Sequence, residues 1–162
     1  MTEVTMLGRF EAGPGGTQHI FPVPVYWEDT DAGGIVYYAN YLKFTERART
    51  DMLRGLGINQ QEMLREDGAN FVIRACEIEY IKPARLEDQL EIVTVITSLR
   101  GASLHMQQDV CCEGEILVKT TVRVACLGED GKPQRLSSAI NDKFNAILGY
   151  SGLLAHTTAK ED

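Results

Sequence analysis

The chain has 162 residues, of which 44% are hydrophobic and 24% charged, and its formal net charge is −7. This length predicts one domain with a single substantial core. The acidic balance and the lack of a Lys/Arg cluster argue against a nucleic-acid-binding protein, because neutralising phosphates requires a basic surface.

Cysteine usage and hydropathy favour a reduced, cytoplasmic protein. No window reaches the roughly 18 consecutive apolar residues of a membrane span, and the N-terminus shows no signal-peptide core. The four cysteines lack the paired spacing of a zinc site and are interpreted as buried, reduced thiols: Cys76, Cys111, Cys112 and Cys126.

The ends of the chain differ in composition from its middle. Residues 1–17 are glycine-rich and end in GPGG, which predicts a flexible leader. Residues 18–150 form the predicted single domain, and the polar residues 151–162 form a predicted tail. HIFPVPVYW begins the domain as a first strand; its prolines make it either an edge strand or one that pairs mainly after Val25.

A long amphipathic helix is predicted from Val36 to about Arg54, with Gly55 and Gly57 closing it. A short helix follows, QQEMLRED, for which Asn59 is the expected cap. Four β segments separated by turns come next, and SSAINDKFNAILG is a predicted short terminal helix. The β segments are NFVIRACEIEYI, DQLEIVTVITSL, ASLHMQQDVCC and EILVKTTVRVACL.

This order predicts an α+β fold in which an antiparallel sheet wraps around one long helix, because strands joined by brief turns run antiparallel. Such a sheet would leave a helix flank and a sheet edge uncovered. We therefore expect a homo-oligomer, at least a dimer.

The stretches YWEDTDAGGIVYYANYLKFTERART and EYIKPARLEDQLEIVTVITSLRGASL contain three motifs in order: the DTDAGGIVY turn, the ERAR helix and the KPARLED turn. Together they resemble the hotdog-fold acyl-CoA thioesterases of the 4-hydroxybenzoyl-CoA thioesterase type, and among these the Tol-Pal-associated branch. The resemblance runs from about residue 25 to residue 126. It implies a sheet wrapped around a central helix, dimers or tetramers with active sites at the dimer interface, and hydrolysis of an acyl-CoA without a cofactor.

Thioester hydrolysis needs a carboxylate near the carbonyl carbon and donors for the developing oxyanion. By motif position, Asp31 matches the catalytic carboxylate of the family and Tyr38 the residue whose backbone N–H polarises the carbonyl. Gly34 permits close backbone approach before the helix N-terminus. Some Tol-Pal relatives carry histidine at the position of Tyr38, but the backbone role does not depend on the side chain.

Other carboxylates have competing interpretations. Asp29 is more consistent with a hydrogen-bonded turn residue than with direct chemistry. Glu46 lies two turns beyond Tyr38, where another branch of the fold uses a helix carboxylate, but Arg47 and Arg49 offer it ion-pair partners. The DTDAGG loop resembles a calcium loop only superficially, because Gly33 occupies a required ligand position. No metal site is therefore expected.

An acidic protein that binds CoA must meet its phosphates locally. The candidates are Arg100, then Lys82 and Arg85, with Gly101 and Ser103 as turn residues that could also contact the nucleotide or pantetheine. Aromatic residues are candidates for the acyl pocket, although helical spacing alone is equally typical of core packing; they are Tyr37, Tyr41, Phe44 and Phe71.

Three functions are compatible with the sequence to different degrees. A hydrolase in which Asp31 acts as nucleophile or general base is favoured. A hydratase would need a histidine near the helix start, and none is present there. A non-catalytic module that binds acyl-CoA or acyl carrier protein is the alternative. The acyl group and the choice between dimer and tetramer stay open.

Overall fold

The computed structural model describes the backbone of residues 5–158 and the side chains of residues 5–148. Six strands form one sheet in the order β1-β2-β4-β5-β6-β3, and every neighbouring pair is antiparallel. The strands are β1 Arg9–Gly13, β2 Gly16–Pro24, β3 Asn70–Tyr80, β4 Gln89–Arg100, β5 Ser103–Cys112 and β6 Glu115–Leu127. The predicted α+β class and all four of the later β segments are confirmed.

Three α-helices accompany the sheet: α1 Asn40–Gly55, α2 Gln60–Asp67 and α3 Ser138–Thr158. Helix α2 begins as predicted, since the Asn59 side chain accepts from the Glu62 backbone N–H at 3.0 Å. Helix α3 is longer than the predicted terminal helix and extends through much of the predicted tail. Residues 159–162 of that tail lie outside the described residues.

Helix α1 begins four residues later than predicted. Val36 is not helical: its backbone N–H donates to Ala84 O at 2.8 Å, and it forms an isolated bridge with Thr30. The Val36 side chain is 2% exposed and belongs to the core. Residues 35–36 therefore make a short extended connection that anchors the loop before α1.

The predicted leader contains a strand, which corrects the expectation for residues 1–17. Arg9–Gly13 pairs with the first residues of β2, and the GPGG sequence is the turn between them. On its other side β2 pairs with β4 from His19 to Pro24. Pairing with β1 ends at Ile20, so Pro22 and Pro24 lie where β2 has one unpaired edge.

One face of the sheet packs on α1 and α3. In β4 the buried residues alternate with partly exposed ones, as the sequence predicted. The first half of α1 contributes to one hydrophobic cluster with β2, β4 and β6, and the second half to another with β5, β6 and α3. This packing fixes the helix N-terminus at one end of the sheet.

The last strand in the sheet order, β3, is an exposed edge. It pairs only with β6, and most of its residues are exposed in the single chain. Ile73 and Tyr80 are 46% and 45% exposed. An edge of eleven residues with apolar side chains and open backbone groups is suited to pairing with another chain.

Candidate active site

The loop between β2 and α1 is held by the Asp29 carboxylate and backbone. Asp29 is 9% exposed, and its Oδ2 accepts from the Tyr26 N–H at 2.9 Å. The Asp29 carbonyl accepts from the Tyr37 N–H and from Asn40 Nδ2, each at 2.9 Å. These contacts tie the start of the loop to the start of the helix, as expected of a turn residue.

Asp31 has the opposite environment, because its side chain is exposed. Its Oδ1 accepts from the Gly33 N–H at 2.8 Å, and its backbone N–H donates to Ile35 O at 2.9 Å. Gly34 adopts a φ of 77°, in the left-handed region that favours glycine. The loop thus folds back on itself and leaves one carboxylate oxygen of Asp31 without a hydrogen bond from the described residues.

The residues that enter α1 present a backbone donor. Tyr37 N–H is used by Asp29 O, whereas no hydrogen bond among the described loops and caps takes the Tyr38 N–H. It lies two residues before Asn40, the first residue of α1, where the helix dipole is positive. Asp31 and Tyr38 therefore lie on the two arms of one short loop, whose residues Thr30 and Val36 form a bridge.

Tyr80 completes the wall beside this loop, and the sequence analysis did not identify it. Its hydroxyl donates to the Tyr38 carbonyl at 3.0 Å, and its ring lies 6.2 Å from that of Tyr38 and 5.7 Å from that of Tyr41. Tyr80 ends β3, 42 residues after Tyr38. Only the pairing of β3 at the sheet edge brings the two together, and no local signal marks this contact.

The aromatic candidates for the acyl pocket separate into two groups. Tyr41 and Phe44 are 2% and 1% exposed and belong to the core. Tyr37 is exposed beside Tyr38, with a ring separation of 5.0 Å. Phe71 lines a cavity of about 120 Å³ between α1, β3 and α3.

That cavity has polar and apolar walls. Glu46, Arg49 and Thr50 line it from α1, opposite apolar side chains that include Phe71 and Phe144. The expected ion pair is not formed: among the described residues no salt bridge joins Glu46 to Arg47 or Arg49. Arg49 Nη1 instead donates to Gln108 Oε1 at 2.8 Å. Burial lowers the pKa of the Arg49 guanidinium, while the nearby Glu46 charge raises it.

The CoA candidates lie at two ends of the sheet. Arg85 is close to the loop between β2 and α1, because its backbone bridges to Ile35, and Lys82 forms a surface ion pair with Glu115. Arg100, Gly101 and Ser103 lie at the β4–β5 turn, at the far end of β4. Twelve extended residues span about 36 Å, so one chain does not bring this turn to Asp31.

The arrangement suits attack on a carbonyl. An exposed carboxylate can bind or activate a nucleophile, and a free N–H at a helix start can stabilise an oxyanion. Neither requires a metal, and no group of three or more His, Cys, Asp or Glu side chains that could hold one occurs within the described residues. No helix in the described part of the chain is long and apolar enough to cross a membrane.

Comparison with known proteins agrees with this class of site. Residues 25–146 match the family model of the thioesterase-like superfamily. The chain is 48% identical over 126 residues to the acyl-CoA thioester hydrolase YbgC of Escherichia coli O6:H1, covering 76% of this chain and 93% of that protein. It is 46% identical over 107 residues to the acyl-CoA thioesterase YbgC of Haemophilus influenzae, covering 66% of this chain and 79% of that protein.

A solved structure also supports membership of this family. A structure described as a probable thioesterase from Bartonella henselae superposes with a TM-score of 0.71 at 39% identity, covering 74% of this chain and 99% of that one. The fold and site define the class of hotdog-fold thioesterases. The chain belongs to the thioesterase-like superfamily, and the resemblance that its sequence motifs carry is confirmed.

Proposed function

We propose that this thioester hydrolase cleaves an acyl-CoA to a free acid and CoA at the loop that holds Asp31 and Tyr38. The observation that carries the proposal is that one loop presents both an exposed Asp31 carboxylate and, at the start of α1, a Tyr38 N–H with no hydrogen-bond acceptor among the described loops and caps. The relatives named acyl-CoA thioester hydrolase support the substrate class. The proposed reaction uses no cofactor beyond the CoA of the substrate.

Two routes use the same groups. In the first, Asp31 removes a proton from water, the hydroxide attacks the carbonyl carbon, and the Tyr38 N–H stabilises the oxyanion. The tetrahedral intermediate then collapses, the C–S bond breaks, and the departing CoA sulfur takes up the proton. In the second, Asp31 attacks directly, CoA leaves, and water hydrolyses the mixed anhydride. Gly34 has the same role in both, which is to let the backbone turn tightly.

The acyl group is proposed to extend from Tyr38 along the exposed flank of α1 toward the cavity at Phe71. Glu46 lies eight residues beyond Tyr38, or about 12 Å along a helix, and forms the near wall of that cavity. Tyr37 and Tyr80 would flank the thioester itself. The mixed walls of the cavity are compatible with several acyl groups.

A homodimer formed through β3 is proposed as the active assembly, with a tetramer as a pair of such dimers. An antiparallel pairing of two β3 strands near their midpoints would extend the sheet and cover the exposed edge. It would also place each Tyr80 next to the opposite end of the second copy's β3. The four cysteines are unpaired, as expected, but only Cys126 is buried, which corrects the expectation that all four are; Cys76 is exposed on the β3 edge. Unpaired cysteines are typical of a reducing compartment, which supports the proposed cytoplasmic location.

The test is release of free thiol from a panel of short, aromatic and long acyl-CoA thioesters. Asp31→Asn is expected to reduce kcat by at least about 100-fold, in the range typical of general acid–base catalysis. Glu28→Gln is a matched control, because it changes another exposed carboxylate at the surface of the same loop. Circular dichroism and thermal unfolding of Asp31→Asn should match the wild type.

Three results would contradict the proposal. Equal turnover by wild type and Asp31→Asn would show that Asp31 is not the catalytic carboxylate. Tight binding of acyl-CoA by the wild type without turnover of any thioester would favour a binding module, and turnover of acyl carrier protein thioesters alone would change the substrate class.

A further inference from the structure

The cavity beside the second half of α1 contains a positive charge in largely apolar surroundings. Its volume is about 120 Å³, below the about 300 Å³ typical of a pocket that encloses a whole ligand, so it fits the end of an acyl chain. Among the described residues that line it, Arg49 is the only cation and Glu46 the only anion. The apolar part of the lining includes Leu53, Phe71, Leu104, Met106, Val124 and Phe144.

The Arg49 guanidinium is held on one edge by a neutral amide. Its Nη1 donates to Gln108 Oε1 at 2.8 Å. The Gln108 Nε2 group donates to Thr45 O and to Thr94 Oγ1, each at 3.0 Å, and these two bonds fix which end of the amide faces Arg49. A guanidinium has five N–H donors, and Nη1 alone carries a hydrogen bond from Arg49 within the described structure. The other edge of the guanidinium is therefore available to a ligand.

Glu46 does not neutralise this charge by contact. Its side chain is exposed, and no salt bridge joins it to Arg49 among the described residues. Burial lowers the pKa of the Arg49 guanidinium, with the nearby Glu46 and Cys76 acting in the opposite direction. The direction of the shift means that the charged guanidinium loses more from burial than it gains from its neighbours. An anion bound in the cavity would reverse that balance.

An exposed stripe of α1 connects the cavity to the proposed site of hydrolysis. Tyr38, Leu42 and Glu46 are spaced by four residues, which places them on one face of the helix. Leu42 is 44% exposed and offers an apolar surface between the other two. Strand β3 follows the same course, since Tyr80 contacts Tyr38 at one end of the strand and Phe71 lines the cavity at the other. A groove between α1 and β3 thus has a carbonyl site at one end and a cation at the other.

We infer that Arg49 binds a carboxylate at the far end of the acyl chain, and that the substrates include CoA monothioesters of dicarboxylic acids. This inference rests on the proposed function and adds a substrate class to it. A guanidinium binds a carboxylate through paired, charge-assisted hydrogen bonds, for which Arg49 has the free donors. The methylene groups of the same chain would cover Leu42 and the apolar walls. A terminal carboxylate without such a partner would be disfavoured in this cavity.

The length of α1 sets the length of the acyl chain. Arg49 lies eleven residues beyond Tyr38, or about 16 Å along the helix. An extended chain advances about 1.2 Å per bond, so an acyl group of about twelve carbons brings its terminal carboxylate within hydrogen-bonding distance of Arg49. A six-carbon chain is too short to do so and would leave its carboxylate on the apolar surface of Leu42.

Matched thioesters test the inference on the wild-type protein. Dodecanoyl-CoA is compared with the CoA monothioester of dodecanedioic acid, and hexanoyl-CoA with that of hexanedioic acid. The measured quantity is the ratio of kcat/KM for the carboxyl-ended substrate to kcat/KM for the methyl-ended one. This ratio is expected to be at least about tenfold larger for the long pair, because the long chain alone gains the bond to Arg49.

Variants on α1 assign the effect to a side chain. Arg49→Gln is expected to lower the ratio for the long pair about tenfold, and Arg49→Lys, which keeps the charge without the paired donors, should lie between it and the wild type. Glu46→Gln should raise the ratio, because it removes a like charge beside the bound carboxylate. Arg47→Gln is the matched control, since Arg47 is exposed and does not line the cavity. Circular dichroism and thermal unfolding check that each variant is folded.

The outcomes separate the inference from the function on which it rests. Equal ratios in Arg49→Gln and Arg47→Gln, or a wild-type ratio that does not rise with chain length, would overturn the inference while leaving the proposed function intact. An equal dependence on Arg49 for the terminal hydroxyl analogue of dodecanoyl-CoA would overturn the assignment of a carboxylate. If the wild type hydrolyses no thioester, calorimetry still decides: dodecanedioic acid should bind more tightly than dodecanoic acid and lose that advantage in Arg49→Gln, and equal binding of the two acids would overturn the inference.

Discussion

The hydroxyl of Tyr41 joins the first turn of α1 to the turn that precedes β4. It accepts from the Ala84 N–H at 3.0 Å, and Ala84 is fully buried. Tyr41→Phe would keep the ring and leave that N–H without an acceptor in the core. An unsatisfied buried donor costs about 1–3 kcal/mol, so we expect the free energy of unfolding to fall by about that amount.

Urea unfolding at neutral pH measures this change. Tyr37→Phe is the control, because it removes the same hydroxyl from an exposed ring three residues before the start of α1. Equal stability of the two variants would mean that the Ala84 N–H finds another acceptor.

Residues of the site differ in how far local sequence determines them. The hydrogen-bonded turn environment of Asp29 could be predicted from loop chemistry and is confirmed, whereas the catalytic role of Asp31, inferred from motif position, stays a prediction. The contact of Tyr80 with the Tyr38 carbonyl could not be predicted, because it spans 42 residues and depends on strand pairing. Arg49 was expected to pair with Glu46 by helical spacing, but Gln108 from β5 supplies a hydrogen bond at 2.8 Å.

The N-terminal hairpin shows why a glycine-rich segment was misinterpreted. Residues 7–8 have few local signals for structure, yet their N–H groups donate to the Asp51 carboxylate at 2.6 and 2.8 Å. Asp51 lies on α1, more than 40 residues away, and is 2% exposed. A tertiary acceptor of this kind holds β1 in place and cannot be read from the composition of the segment.

His19 on β2 also contacts the Asp51 carboxylate of α1. Its Nε2 lies 2.8 Å from Asp51 Oδ2, and its ring is 1% exposed. Its Nδ1 is buried with no hydrogen-bond partner in the described structure, so protonation would place an unpaired N–H in the core. Burial therefore lowers the pKa of His19 in the folded state, against the opposing effect of Asp51.

A lowered pKa fixes the sign of a pH effect on stability. Between the lowered pKa and about pH 6.5, His19 is protonated in the unfolded chain but neutral in the folded chain, so a falling pH favours unfolding. The contribution of neutral His19 to the free energy of unfolding is therefore complete above about pH 6.5. It is lost as the pH falls from there to the lowered pKa. Between pH 7.5 and 5.5 this one group should reduce the free energy of unfolding by at most ~1.4 kcal/mol.

Denaturant unfolding at both pH values tests this prediction. His19→Gln should lose this part of the pH dependence, whereas His105→Gln, on the outer face of β5, should retain it. A variant at residue 19 with the wild-type pH dependence would assign the effect to other groups.

At the scale of the whole molecule, the exposed β3 edge connects the fold to the proposed dimer. The single chain leaves β3 open along one side, and its last residue, Tyr80, contacts the Tyr38 carbonyl. A two-fold axis through the middle of β3 would bring each Tyr80 opposite the first residues of the second chain's β3. The sequence indicated an uncovered edge from element order alone, but it could not show that β3 forms this edge, because that follows from its pairing with β6 alone.

Cys76 gives a direct test of that axis, because it lies next to the midpoint of β3 and is exposed. In an antiparallel β3 pair the two Cys76 residues would be close across the axis, so a short bis-maleimide should link two chains at pH 7.5. Cys111 is a poor competitor, since burial raises its pKa to about 11. Cys76→Ser should abolish the covalent dimer on a denaturing gel while sedimentation still shows a dimer. Cross-linking that persists in Cys76→Ser would place the contact between the chains elsewhere, and a wild-type chain that sediments as a monomer would rule out the proposed dimer.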